Sequence, residues 1–167
     1  AVYDFENYRY HAGTAVESGN LYPNGYLKMV YDGNKDSNEA VVTLVRGAWA
    51  GAQKYGALAW SGDIDSSFEA FHNQVNSGLN MGMAGIPWWT TDIGGFHGGN
   101  PEDPEFRELM VRWFQYSTFS PILRMHGDRL PHSKPLSNSG GGSMPTGAPN
   151  EIWSYGSEAE FIMTNYV

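Results

Sequence analysis

The chain has 167 residues, with 10 Lys and Arg against 18 Asp and Glu, a net charge of −8 and a pI near 4.9. That length supports one domain with a real core, and the acidic balance repels phosphate backbones, so nucleic acid is not an expected partner. No apolar stretch approaches the roughly 18 residues needed to cross a bilayer, so no membrane partner is expected. The absence of Cys excludes disulfides, thiolate metal sites and cysteine nucleophiles. The chain starts Ala1-Val2-Tyr3 without an initiator Met and stops at Asn165-Tyr166-Val167 inside a helix-like segment, so it is expected to be a piece of a longer protein.

Residues 1–18 are aromatic-rich and irregular in pattern. Leu21 to Asp32 carries apolar residues at Leu21, Tyr26, Met29 and Val30 and is followed by Gly33, the pattern of a helix with a glycine stop. Val41–Val45 is a short β-branched run and Ala57–Trp60 a second apolar one, both read as buried strands. Asp65 to Leu79 reads as a helix. Ser66 and Glu69 have capping-box spacing there, and Phe68, Phe71, Val75 and Leu79 share a face. Met83–Trp89 is expected as a third strand, with Pro87 limiting its pairing.

Asp103-Pro104 supplies an N-cap and a proline at the first helical position. Phe106, Leu109, Met110, Trp113 and Phe114 then form the apolar stripe of that helix. Pro121–Leu123 is expected as a fourth strand, residues 133–150 as an exposed Ser-, Gly- and Pro-rich loop, and a last helix starts near Ser157.

Alternating strands and helices imply parallel strands with helices outside them. An open doubly wound sheet and a closed (β/α)8 barrel both fit. No phosphate-type glycine fingerprint opens either clear helix. Four strands make about half a barrel, since a whole one needs about 250 residues.

The chemistry follows the strands. Val41–Val45 ends at Arg46, Ala57–Trp60 leads to Asp63, Met83–Trp89 leads to Asp92, and Pro121–Leu123 ends at Arg124 and His126. In a parallel barrel those strand ends share one face, where active sites lie. Asp63 sits in Trp60-Ser61-Gly62-Asp63-Ile64, where the glycine permits a tight turn. Trp60 and Ile64 are expected to form an apolar wall that keeps this carboxyl protonated, as a general acid requires. Capping the next helix falls more naturally to Asp65 and Ser66.

Asp92 sits between Trp88-Trp89 and Gly94-Gly95, a combination that suits sugar hydroxyls and ring faces and equally suits a turn aspartate. The content of 14% aromatics, including 6 Trp, points the same way, although any single Trp more often fills a core. Arg46 can steady a carboxylate or bind a hydroxyl. His126 can donate to a hydroxyl or be structural. Histidines 11, 72, 97, 126 and 132 lack the spacing of a metal site, and no metal or other cofactor is expected.

Arg46-Gly-Ala-Trp-Ala-Gly-Ala-Gln53, Trp60-Ser-Gly-Asp63-Ile64, Gly85-Ile-Pro-Trp-Trp-Thr-Thr-Asp92-Ile-Gly-Gly-Phe96, Arg112-Trp-Phe-Gln115 and Arg124-Met-His126 occur in order and together resemble glycoside hydrolase family 31. The similarity extends from about residue 3 to the C-terminus. The resemblance implies a partial (β/α)8 TIM barrel of about four βα units, the fifth to eighth of the parent. It implies retaining, exo-acting hydrolysis of terminal α-linked sugars by an α-glucosidase or α-xylosidase, with an oligosaccharide or glycoside as substrate and the rest of the barrel as partner. It marks Asp63 as acid/base and Arg46, Trp60, Asp92, Phe96, Arg124 and His126 as the lining of the terminal-sugar subsite.

Two departures accompany it. The family's nucleophile, an Asp in a short acidic motif after the fourth strand, has no copy here, and Asp4 in Tyr3-Asp4-Phe5 does not match. The Arg46–Asp63 spacing is one residue longer than in some members, which leaves Lys54–Ala59 as the loosest part of the register. Residues 1–167 are therefore expected to be part of one catalytic barrel domain, inactive in isolation, with exposed sheet edges where the barrel is open. A noncatalytic carbohydrate-binding relative and a metal-dependent barrel hydrolase are the alternatives, and glucose-versus-xylose choice is open.

Overall fold

The computed structural model describes residues 6–135 and 146–167, which separate into two compact units. One holds the described residues up to Trp60 together with Met81–Trp88; the other holds Ser61–Asn80 and Trp89–Val167. Asp4 and loop residues 136–145 lie outside the described residues.

The first unit opens with an antiparallel pair, β1 (Arg9–Tyr10) and β2 (Gly13–Thr14). Its turn runs into α1 (Ala15–Ser18), where Thr14 and Glu17 make a reciprocal capping box. Helix α2 (Tyr22–Asn34) starts with Pro23 in its first turn and continues through Gly33, the position expected to stop it. One glycine weakens a helix only modestly, and no left-handed turn forms there. Strands β3 (Thr43–Val45) and β4 (Ala57–Trp60) pair in parallel, Leu44 opposite Leu58. The Ala59 N–H donates to the Trp88 carbonyl at 3.0 Å, which extends the pattern by one backbone. Leu27 of α2 is fully buried against Val45, Ala52 and Ala57, so a helix covers the strand pair as parallel strands require.

The second unit is built on α4 (Pro104–Ser117). Asp103 caps it by accepting the Glu105 N–H at 3.0 Å, and Pro104 occupies the first position, as the sequence predicts. All five residues of its expected stripe are buried, and they join Ile93, Tyr155, Ala159 and Met163 in one core. Helix α5 (Ser157–Thr164) closes that core with Ala159 and Met163. Trp113 is completely buried, stacks on Phe71 with ring centroids 5.0 Å apart, and donates its indole N–H to Thr91 Oγ1 at 2.8 Å. Strands β6 (Arg129–Ser133) and β7 (Thr146–Ala148) pair antiparallel at the edges of the stretch expected as a loop.

Three expectations need correction. Helix α3 spans Phe68–Met83, and Ser67 caps it by accepting the Ala70 N–H; the Ser66–Glu69 box does not form. On its expected face Phe71 packs against the core while Phe68 and Leu79 are exposed. The third strand shrinks to β5 (Trp89–Thr90), because α3 continues to Met83 and Pro87 has no N–H to donate. Pro121–Leu123 forms no strand. It is tied down by Thr90 Oγ1 donating to the Ile122 carbonyl at 3.1 Å and by the Ile93 N–H donating to the Arg124 carbonyl at 3.4 Å.

Trp113→Ala removes the ring, the stacking and a buried hydrogen bond together. We expect it to destabilise by about 3–5 kcal/mol. Trp113→Phe keeps most of the packing and should cost clearly less, both measured by denaturant unfolding followed by circular dichroism. Equal stability of the two variants would contradict the packing described here.

Candidate functional site

In the second unit, three segments distant in sequence lie side by side. The Ile64 carbonyl accepts the Phe96 N–H at 2.7 Å and the His97 N–H at 3.0 Å, and the Ser66 N–H donates to the His97 carbonyl at 3.1 Å. The Asp128 N–H donates to the Phe96 carbonyl at 2.8 Å, the Gly98 N–H to the Asp128 carbonyl at 3.2 Å, and the Leu130 N–H to the Gly99 carbonyl at 3.0 Å. Asp65, His97 and Asp128 are thus parallel bridge partners in a row. This row draws Asp63, Asp92, Phe96, Arg124 and His126 into one neighbourhood, since each lies within a few residues of it.

Asp63 follows Gly62, whose φ of 76° is the left-handed turn anticipated at that glycine. The Asp63 side chain is exposed, and Ile64 packs against the helical core. The expected apolar wall is therefore not supplied by Ile64. The Ile64 N–H donates to the Gly62 carbonyl at 3.1 Å, so Asp63 stands at the apex of a tight turn while Ile64 packs inward.

Asp92 is fully buried and pairs with Arg124 through Oδ1 and Nη2. Its second oxygen, Oδ2, and the Arg124 Nε are buried polar atoms without a hydrogen-bond partner among the described residues. One carboxylate lone-pair edge and one guanidinium N–H thus remain for a bound hydroxyl. Burial pushes the Asp92 carboxyl above the ordinary aspartate value of 3.8; Arg124 and His126 oppose the rise, and the nearby negative charge of Asp63 adds to it. Burial outweighs the ion pair because desolvating a carboxylate is costly even beside a cation.

Phe96 is half-buried, with the His97 ring edge-on at 4.9 Å and the tilted His126 ring at 5.4 Å. These rings place an apolar face beside the polar pair. The two tryptophans before Asp92 separate: Trp88 is 46% exposed and Trp89 is buried. Trp89 packs over Gly78, where a Cβ would come within 3.0 Å of its indole. An extended backbone sends neighbouring side chains to opposite faces, so Trp89 is a core residue and the paired strip expected from sequence does not form. In the first unit, Arg46 directly follows β3 and is exposed, and Trp60 ends β4 half-buried.

Sequence reasoning passed over Arg129, a fully buried guanidinium that hydrogen-bonds the carbonyls of Ile93, Gly95 and Gly98. A single Arg in Gly127-Asp-Arg-Leu has no local signal, because all three acceptors lie more than thirty residues away.

An aspartate with a raised value binds its proton more readily folded than unfolded. Its ionisation therefore subtracts stability as pH rises from the ordinary value through the raised one. Carboxyl-carbon NMR titration should place Asp92 above 3.8. Arg124→Gln removes the largest opposing influence and should raise it further, while Asp92→Asn should flatten the pH dependence of stability over that interval. A fall on Arg124→Gln would show that the two groups do not interact as described.

The family description that matches this chain is "Glycosyl hydrolases family 31 TIM-barrel domain", over residues 2–167. Among curated proteins, an uncharacterized family 31 glucosidase of Pseudescherichia vulneris is 62% identical over 131 residues, 78% of this chain and 25% of that protein. An alpha-xylosidase of Saccharolobus solfataricus is 48% identical over 120 residues, 71% of this chain and 16% of that protein. A solved GH31 alpha-xylosidase from a soil metagenome, complexed with xylose, superposes with a TM-score of 0.91 at 54% identity, over 99% of this chain and 25% of that one. The xylosidase of Aspergillus niger superposes at 0.80 with 33% identity, over 95% and 23%. The chain thus spans about a quarter or less of the length of these relatives. Of the two architectures open to the sequence, the barrel is the one this family has, and the chain belongs to the TIM-barrel domain of glycosyl hydrolase family 31.

Proposed function

We propose that the protein carrying this chain is a retaining, exo-acting α-glycoside hydrolase of the α-xylosidase or α-glucosidase class. The observation that carries this is the pairing of fully buried Asp92 with part-buried Arg124, with Asp92 Oδ2 and Arg124 Nε left to a ligand, near the exposed carboxyl of Asp63. A buried ion pair with two unused polar edges is costly unless something hydrogen-bonds to it, and adjacent sugar hydroxyls match one acceptor beside one donor. The relatives support the same class: three of those above are described as xylosidases, and a Flavobacterium johnsoniae dextranase is described as complexed with glucose.

In this proposal Asp63 protonates the leaving glycosidic oxygen and then removes a proton from the water that attacks the covalent intermediate. Asp92 and Arg124 bind hydroxyls of the terminal sugar, His126 donates to another, and Phe96 offers its ring face. Arg46 and Trp60, at the ends of β3 and β4 in the first unit, are sugar-binding candidates in the same proposal. The nucleophile is a carboxylate outside residues 1–167, about 5–5.5 Å from Asp63 as retention requires. The units described here correspond to the fifth to eighth of the parent barrel, so residues 1–167 alone have no glycosidase activity. The xylosidase descriptions favour a terminal xylose, whose lack of a C6 hydroxymethyl asks for a tighter subsite.

The test uses the full-length protein. Asp63→Asn should lower kcat/KM on an unactivated α-linked disaccharide about 10²–10⁴-fold. It should do so much less on an aryl α-glycoside whose leaving group departs without a proton. Aryl α-xyloside turnover should exceed aryl α-glucoside turnover. Asp63→Asn with wild-type activity on the disaccharide refutes the acid/base role.

A further inference from the structure

We propose that Arg129 is a positioning residue that sets where Asp92 stands toward the sugar, an inference that rests on the function proposed above. Its guanidinium is fully buried and spends its donors on neutral oxygens. Nη2 donates to the Ile93 carbonyl at 2.9 Å. Nη1 donates to the Gly95 carbonyl at 2.9 Å, the Gly98 carbonyl at 3.1 Å and Ser66 Oγ at 3.2 Å. Nε donates to Asn150 Oδ1 at 3.0 Å and Tyr155 Oη at 3.2 Å.

Three of these acceptors are backbone oxygens on either side of the residues that matter. Ile93 follows Asp92 directly, and Gly95 and Gly98 bracket Phe96 and His97. Ser66 brings in the segment after Asp63, which explains why Ser66 is not the cap of α3. The plane of the group is held as well: Cζ lies 4.9 Å from the centre of the Phe106 ring, and a Cβ on Gly127 would come within 2.6 Å of it. Gly95 is fixed by the same crowding, since a Cβ there would stand 2.5 Å from the Asp65 carbonyl oxygen. A planar fork with five donors can hold diverging carbonyls at once, whereas an ammonium on a flexible stem cannot do so in one geometry.

A residue that merely stabilised the fold would lower the melting temperature without selecting among kinetic constants. Arg129 instead acts through Asp92, so its effect must vanish when Asp92 can no longer bind as a carboxylate. The experiment is a double-variant cycle in the full-length protein with an aryl α-xyloside, well below the melting temperature, using Arg129→Lys, Asp92→Asn and the pair. Asn150→Ala, which loosens the guanidinium from its far side, serves as a milder second probe should Arg129→Lys fail to fold. Met163→Ala, a buried core change at a residue that makes none of the Arg129 hydrogen bonds, gives the stability control.

Arg129→Lys is expected to raise KM about tenfold or more, the scale of a misplaced binding group. Asn150→Ala should shift KM the same way by less, and Met163→Ala should lower the melting temperature with KM unchanged. In the Asp92→Asn background, Arg129→Lys should add little. Additive effects, or a KM that follows the melting temperature across all variants, overturn the positioning role. An Asp92→Asn variant with wild-type KM overturns instead the sugar-binding role of Asp92.

Discussion

Ile64–Ser66, Phe96–Gly98 and Asp128–Leu130 come together through hydrogen bonds although 29 residues separate each segment from the next. The order of the second unit around the proposed sugar site depends on that junction. Loops after successive strands normally move independently, because surface backbone can exchange protein partners for water. Here the loop backbones bond to one another, and a buried guanidinium binds a second set of their carbonyls. The Arg129 charge is balanced by carbonyl dipoles and the Phe106 ring face. Such a network tolerates little change, because a buried polar network that is only partly satisfied is costly.

The same enclosure shapes Asp92. Burial removes water from the carboxyl, so its proton is held more tightly than usual despite the adjoining Arg124. A carboxylate kept in this condition gains more from a hydrogen-bonding ligand than one in solvent does, because a hydrogen bond is electrostatically stronger in a low-dielectric surrounding. Asp63 sits in the opposite condition, exposed just beyond the Gly62 turn. Two aspartates of one site thus differ through environment alone, and under the proposed function they divide binding and proton transfer between them.

Where local chemistry decides the outcome, the sequence was a good guide. Asp103-Pro104 starts α4 because its cap and its missing N–H are both local properties, and the buried stripe follows from helical spacing. β4 lies where a short apolar run predicted it. The errors have separate causes: Gly33 is too weak a stop to end α2, and Ser66 is drawn away from capping by the hydrogen bond it accepts from Arg129. Pro121–Leu123 and most of Met83–Trp89 carry strand-like composition, yet prolines and the continuation of α3 remove the pairing.

The sequence by itself determined the family, through five ordered motifs. It could do so because motif order and spacing are properties of the chain alone. Only the tertiary structure decided which groups are buried: Asp92 inside and Asp63 outside, Trp89 in the core and Trp88 half-exposed, Arg129 at the centre of the loops. Burial and hydrogen bonding are set by neighbours brought in from far along the chain, such as Arg124 against Asp92 at a separation of 32 residues. No window of local sequence contains both partners.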